Sequence, residues 1–209
     1  MNLTHWYKTA FLEAYIEKYK IDTSSFKHIL EIGARDCKES LSFTEIFPNA
    51  HITAFECNPR VLPECRSNAA KSDRISLIEK MVTDTPSSNE FYLKQPFLPF
   101  DEGVASLCQP IWEYDTVYTD TIRMDQFLSD QIIDFLWIDV QGAEVKVIES
   151  FGSKLNQVNT IYCEVDTVSE RYRSGSDEPK LLERLNMYTV SERLLLGPTE
   201  AHLIFNKNV

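Results

Sequence analysis

Short apolar runs alternate with stretches of helical spacing along most of the chain, and this alternation constrains the fold more than any other feature. Residues 28–33 (His-Ile-Leu-Glu-Ile-Gly) and 51–56 (His-Ile-Thr-Ala-Phe-Glu) are strand-like, end in glycine or an acid, and are each followed by a helical pattern. Similar runs recur at Ile75–Glu79, Ile132–Ile138 and Val158–Val165, with helical stretches at Ser40–Phe47, Pro59–Ala70, Ala143–Phe151 and Glu178–Leu185. Strands alternating with helices imply a mainly parallel sheet covered by helices on both faces. Tyr188–Leu195 and Ala201–Asn206 flank Gly197-Pro198, so the chain is expected to finish in an antiparallel β-hairpin.

With 209 residues, the chain suits one domain: a helical extension over 1–27, then a single α/β unit over 28–209. Within 3–19, Trp6, Ala10, Phe11, Ala14 and Tyr15 share helical spacing, which reads as a core-packing helix. Residues 94–116, with Pro96, Pro99 and Pro110, lack periodicity and read as an irregular loop beside a site; the polar segment 166–179 follows a central strand and reads as a second.

Charge and cysteine usage exclude several classes. Twenty-one basic residues against 32 acidic ones give a net charge of −11, which repels nucleic acid and anionic membrane surfaces. No run reaches the ~18 apolar residues of a membrane span, and residues 1–19 lack a signal-peptide core, so a cytoplasmic protein is expected. The five scattered cysteines, without a C-x-x-C pair, suggest free thiols, no zinc and no disulfide.

In an open α/β sheet, ligands bind beyond the carboxyl ends of the strands, which directs attention to Glu31-Ile32-Gly33-Ala34-Arg35-Asp36-Cys37. One glycine stands where a dinucleotide loop carries three, and no phosphate loop occurs anywhere, so a nicotinamide-dependent oxidoreductase is the weaker alternative. S-adenosylmethionine (SAM) has no phosphate. A Gly33 turn flanked by Glu31, with Ala34 and Arg35, can meet its methionine end, and Glu56, followed by Cys57 and Asn58, can accept its ribose hydroxyls. Met81, Val82 and Asp84 either wall its adenine or form an ordinary polar turn before Pro86.

These residues carry a resemblance to the FkbM family of SAM-dependent methyltransferases. The loop at 31–37 resembles the family's acid-x-Gly-Ala-Asn-x-Gly, and Ala54-Phe55-Glu56-Cys57-Asn58-Pro59 resembles its Phe-Glu-Pro-Asn-Pro, with Asn68 in the following helix. Residues 103–107 are similar to its Gly-Ser-rich segment and 121–127 to its Thr-Leu-Asp-Asp-Phe segment. The most specific match, Ile133-Asp134-Phe135-Leu136-Trp137-Ile138-Asp139-Val140-Gln141-Gly142-Ala143-Glu144, resembles Ile-Asp-x-x-Lys-Ile-Asp-Val-Glu-Gly-Ala-Glu. Arg35, Cys37, Trp137 and Gln141 depart from the pattern, the last two on the acceptor side. The resemblance implies a Rossmann-like class I fold with a seven-stranded sheet, SAM as cofactor, and O-methylation of a sugar, glycan or small natural product. A non-catalytic binding module is the second alternative.

A neutral alcohol needs its proton removed as it is methylated, and Asp139, at the end of an apolar strand, is either that base, with a pKa raised by burial, or the cap of the next helix. Glu164 ends the following strand. Asp139, Glu164 and Asp166 could together hold Mg²⁺; otherwise Glu164 bonds the acceptor directly. Glu144 sits where it would stabilise a helix N-terminus. Arg171 and Arg173 either contact an anionic acceptor or are solvated; Trp6, Trp112 and Tyr114 either stack on a sugar or pack; His5 and His202 could approach the site.

Overall fold

The computed structural model of the chain describes residues 3–87, 89–95, 103–168 and 171–208. Seven strands form the central sheet: β1 (His28–Ile32), β2 (His51–Phe55), β3 (Ile75–Ile78), β9 (Ile133–Ile138), β10 (Val158–Asp166), β11 (Tyr188–Leu196) and β12 (Glu200–Lys207). Their spatial order is β11-β12-β10-β9-β1-β2-β3. The five strands from β10 to β3 run parallel, and β12 inserts antiparallel between β10 and β11. This is the expected mainly parallel sheet closed by a C-terminal hairpin.

Alternation within each strand explains both helical layers. Ile29, Phe135, Trp137 and Tyr162 face one side, where they bury against α1 (Leu3–Tyr19), α2 (Lys38–Ile46) and α3 (Leu62–Ala69) through Leu12, Tyr15, Phe43 and Cys65. Leu30, Leu136, Ile138 and Ile161 face the other, against α4 (Met124–Phe127), α5 (Glu144–Ser150) and α6 (Glu178–Arg184) through Met124, Val147 and Leu181. Apolar side chains on both faces are what a parallel sheet between two helical layers requires. Trp137 stacks on Tyr162 with ring centroids 3.5 Å apart.

Three expectations need correction. Residues 94–116 are not an irregular loop throughout: β5 (Glu90–Lys94) pairs antiparallel with β6 (Ala105–Ser106) and with β7 (Tyr114–Tyr118). Phe91 and Leu93 alternate inward along β5 and pack with Met81, but the aromatic Tyr92 between them hides the period-two pattern in the sequence. Pro96 and Pro99 lie outside the described residues. A small parallel pair, β4 (Met81–Val82) and β8 (Thr121–Ile122), lies outside the main sheet.

The inward stripe of α1 keeps the expected Tyr15 and Phe11 but shifts toward Lys8 and Leu12. Lys8, Leu12 and Tyr15 are buried, spaced i, i+4 and i+7, whereas Ala14 is exposed. The longer side chains reach further into the core than the alanines.

Finally, Cys37 and Cys65 form a disulfide joining the start of α2 to α3, while Cys57, Cys108 and Cys163 are free. Cys37 stands where the FkbM pattern has glycine and keeps a glycine-like backbone, with φ +57°. Twenty-eight residues separate the pair in sequence, which is why spacing did not reveal it.

Candidate active site

A cavity of about 320 Å³ opens at the carboxyl ends of β1, β2, β9 and β10. Gly33 makes it possible. Its φ is +88°, and a Cβ there would lie 1.9 Å from the Asp139 carbonyl oxygen, so only glycine lets the β1 loop approach the end of β9 this closely. The approach is fixed by Asp139 N–H donating to the Ile32 carbonyl at 3.0 Å, while Gly33 N–H and Ala34 N–H, both donating to the Phe55 carbonyl at 3.0 Å, tie the same loop to β2.

On one side of the cavity, Glu56 closes β2. Its carboxylate accepts three backbone N–H groups, from Arg35 at 2.7 Å, Cys57 at 2.8 Å and Asn58 at 2.6 Å. Burial pushes its pKa up, and those three donors pull the other way. A carboxylate offers roughly four acceptor positions, so Glu56 both organises two loops and keeps capacity for a hydroxyl. Gly33, Arg35, Cys57, Asn58, Met81 and Val82 line the same space.

Three residues singled out for cofactor contact do not line it. Glu31 lies behind the loop, accepting a hydrogen bond from the Ser40 hydroxyl, with Oε1 buried and without a hydrogen-bond partner. Burial, reinforced by the charges of Glu39 and Asp36, raises its pKa well above the carboxylate range. Ala34 is buried in the turn, and Asp84 accepts from the hydroxyls of Thr83 and Thr85.

The opposite side is built by the ends of β9 and β10. Gln141, at φ +55°, donates from Nε2 to Asp139 Oδ1 at 2.9 Å and to Glu164 Oε1 at 3.1 Å. Lys8 reaches in from α1 and places Nζ 2.5 Å from Asp139 Oδ2 and 2.7 Å from Glu164 Oε2. Each carboxylate is therefore held on both oxygens.

This clamp reverses one expectation. Burial alone raises the pKa of Asp139, but the Lys8 ammonium beside it prevails and holds it below the carboxylate range. Glu164 goes the other way: burial raises it, the neighbouring Asp139 charge adds to that, and Lys8 only partly offsets them. Lys8 itself stays protonated, since the two acids outweigh the cost of burying it.

The Mg²⁺ arrangement of Asp139, Glu164 and Asp166 does not fit this geometry. The Lys8 ammonium stands between the first two, and Asp166 pairs with Arg171. Among the described residues, the grouping closest to a metal site is instead Glu164, Glu200 and His202, whose ligand atoms lie within 4.8 Å of one another. His202 is already engaged, with Nε2 3.0 Å from Glu200 Oε1 and Nδ1 paired with the Tyr162 hydroxyl. It is fully buried.

The remaining residues sort clearly. Arg171 lines the cavity, whereas Arg173 lies along a backbone pairing with Gln109. Trp112 packs edge-on to Tyr172 at 5.2 Å, and the Tyr114 hydroxyl accepts from Gln109. Trp137 belongs to the core, so its departure from the family pattern concerns packing and not the acceptor. Glu144 accepts the Gly142 N–H at 2.9 Å at the start of α5. The side chains of His5 and Trp6 lie outside the described residues. Sequence reasoning missed Lys8, because a lysine on an amphipathic helix ordinarily faces water.

Comparison with known proteins agrees with this architecture. The chain is 32% identical over 150 residues to the 2-O-methyltransferase NoeI of Sinorhizobium fredii, a match covering 65% of this chain and 62% of that protein's length. Among solved structures, the fold is similar to the N-methyltransferase NodS from Bradyrhizobium japonicum WM9, with a TM-score of 0.58 at 11% identity over 99% of this chain and 98% of that one. It is also similar to a precorrin-6y C5,15-methyltransferase from Geobacter metallireducens GS-15, with a TM-score of 0.52 at 16% identity over 89% and 84%. Those two likenesses concern the fold alone. Residues 31–188 match the methyltransferase FkbM domain, and the chain belongs to that family of methyltransferases.

Proposed function

We propose that this chain is an O-methyltransferase that moves the methyl group of SAM onto a hydroxyl of a sugar, glycan or small natural product. One observation carries the reading: Asp139 and Glu164, at the ends of adjacent strands, present two clamped carboxylates to the cavity opposite Glu56. The kinship with a protein named as a 2-O-methyltransferase supports oxygen as the acceptor atom.

SAM, when bound, supplies an electrophilic methyl group. Glu56 and the turn at Gly33 and Arg35 would hold its ribose and methionine portions, and Met81 and Val82 would offer an apolar surface to the adenine. At the other end, Glu164 is the better base, because its pKa is moved toward neutrality while that of Asp139 is held low. Glu164 would take up the acceptor O–H proton as the methyl group leaves the sulfonium sulfur for the acceptor oxygen, releasing S-adenosylhomocysteine, and Asp139 would stay ionised to align the acceptor and the Lys8 ammonium. Arg171, on the segment after β10, would contact the rest of the acceptor. The net charge of −11 disfavours a nucleic-acid acceptor.

Calorimetry with SAM and with NAD, followed by assay of S-adenosylhomocysteine release over a panel of sugars and glycans, tests the reading. SAM binding with release dependent on a hydroxyl acceptor is expected. NAD binding in its place, or SAM binding without release on any hydroxyl acceptor, would overturn it.

A further inference from the structure

The two acids at the acceptor end are held by a residue that the family match does not reach. Matching begins at residue 31, whereas Lys8 lies on α1. Its position is not that of a surface lysine: the side chain is 10% exposed, and Leu12 and Tyr15 anchor the same helix in the core one and two turns further on. On its neighbour Tyr7, the ring packs edge-on against His202 with centroids 5.7 Å apart. The ammonium is thus fixed by packing and paired on arrival.

Two buried carboxylates facing one cavity ordinarily repel each other, and proteins resolve this by protonating one or by binding a cation between them. Here the Nζ of Lys8 occupies the point shared by Asp139 Oδ2 and Glu164 Oε2, and Gln141 Nε2 occupies the point shared by Oδ1 and Oε1. We propose that Lys8 is a positioning residue of the transfer site, a built-in cation that replaces a divalent metal between Asp139 and Glu164 and makes α1 part of the catalytic unit. The inference rests on the methyl-transfer reading for its consequence on turnover, but not for its consequence on cation binding.

The experiment uses the full chain as wild type, Lys8→Met and Lys8→Arg, with circular dichroism to establish folding. Mn²⁺ titration followed by electron paramagnetic resonance is the first readout. Wild type should show no Mn²⁺ bound at this site at millimolar metal, whereas Lys8→Met should gain a bound ion that a second change, Glu164→Gln, removes. Turnover is the second readout: wild type should be indifferent to EDTA, Lys8→Met should lose about 10²-fold in kcat with the KM for SAM within about twofold, and Lys8→Arg should recover most of the loss. Mn²⁺ binding to wild type that is lost in Glu164→Gln, loss of turnover in EDTA, or near-normal kcat in Lys8→Met would each overturn the proposal. If Lys8→Met does not fold, the wild-type metal and EDTA arms and the Lys8→Arg activity decide it. Absence of S-adenosylhomocysteine release by wild type would defeat the methyl-transfer reading instead, leaving the Mn²⁺ arms to judge Lys8.

Discussion

Gly33→Ala should be among the most damaging single-methyl changes in the protein, and its cost can be built from two parts. The first is conformational: φ is +88°, and a Cβ in left-handed backbone costs roughly 1–2 kcal/mol. The second is steric. A Cβ 1.9 Å from the Asp139 carbonyl oxygen must move by more than an ångström, about the distance to ordinary contact, which separates the β1 loop from the end of β9. That movement breaks the buried hydrogen bond from Asp139 N–H to the Ile32 carbonyl, worth about 1–3 kcal/mol when left unmade. Together they give roughly 2–5 kcal/mol, or a fall in Tm of about 10 °C for a chain of this size. Gly197 supplies the control. Its φ of +72° is also left-handed, but nothing lies within 4 Å of the Cβ position, so Gly197→Ala should lose only the conformational part. Urea unfolding of both variants measures the difference. Equal losses would refute the claim that Gly33 is required by close approach to Asp139.

Removing the disulfide by Cys37→Ser with Cys65→Ser should cost about 3–4 kcal/mol, from the chain entropy of a loop spanning 28 residues, and an unfolding midpoint of wild type unchanged by reductant would contradict it. Glu144 is buried and its pKa is pushed up to about 8 by burial, against an ordinary 4.5. Between those values the unfolded chain has released this proton and the folded chain keeps it, so the Glu144 contribution to stability falls as pH rises, by up to about 1.4 kcal/mol per unit; Glu144→Gln should flatten that part of the pH–stability profile. Glu56→Ala should weaken SAM binding by roughly 2 kcal/mol or more in calorimetry, since it would remove the proposed ribose acceptor and leave three backbone N–H groups without their partner, and unchanged affinity in a folded variant would remove Glu56 from the cofactor site.

The parallel strands were legible because each is a continuous apolar run ended by a turn; β1, β2 and β9 start or end within a residue of their sequence limits. Glu56, Asp139 and Glu164 were legible for a related reason, as acids closing such runs at the end of a sheet where ligands bind. What remained hidden depended on contacts between distant segments. Nothing local marks Lys8 as the partner of Asp139, 131 positions away; burial alone would raise the Asp139 pKa, and the Lys8 ammonium lowers it. Glu31 shows the converse: its motif position suggests ligand contact, but strand alternation points its side chain toward Ser40 beneath α2. The strands β5 to β7 were missed because Tyr92 breaks the apolar alternation of β5, β6 has only two residues, and β7 buries none of its side chains fully.

The most direct test of the account is the parallel measurement of kcat and SAM affinity for Glu164→Gln and Asp139→Asn, both near-isosteric. On the proposed mechanism, loss of the base or of its ionised partner acts in the transition state, so each variant should lose about 10²-fold or more in kcat while SAM affinity changes little. Near-normal turnover in both folded variants would contradict the assignment of this pair to the chemical step.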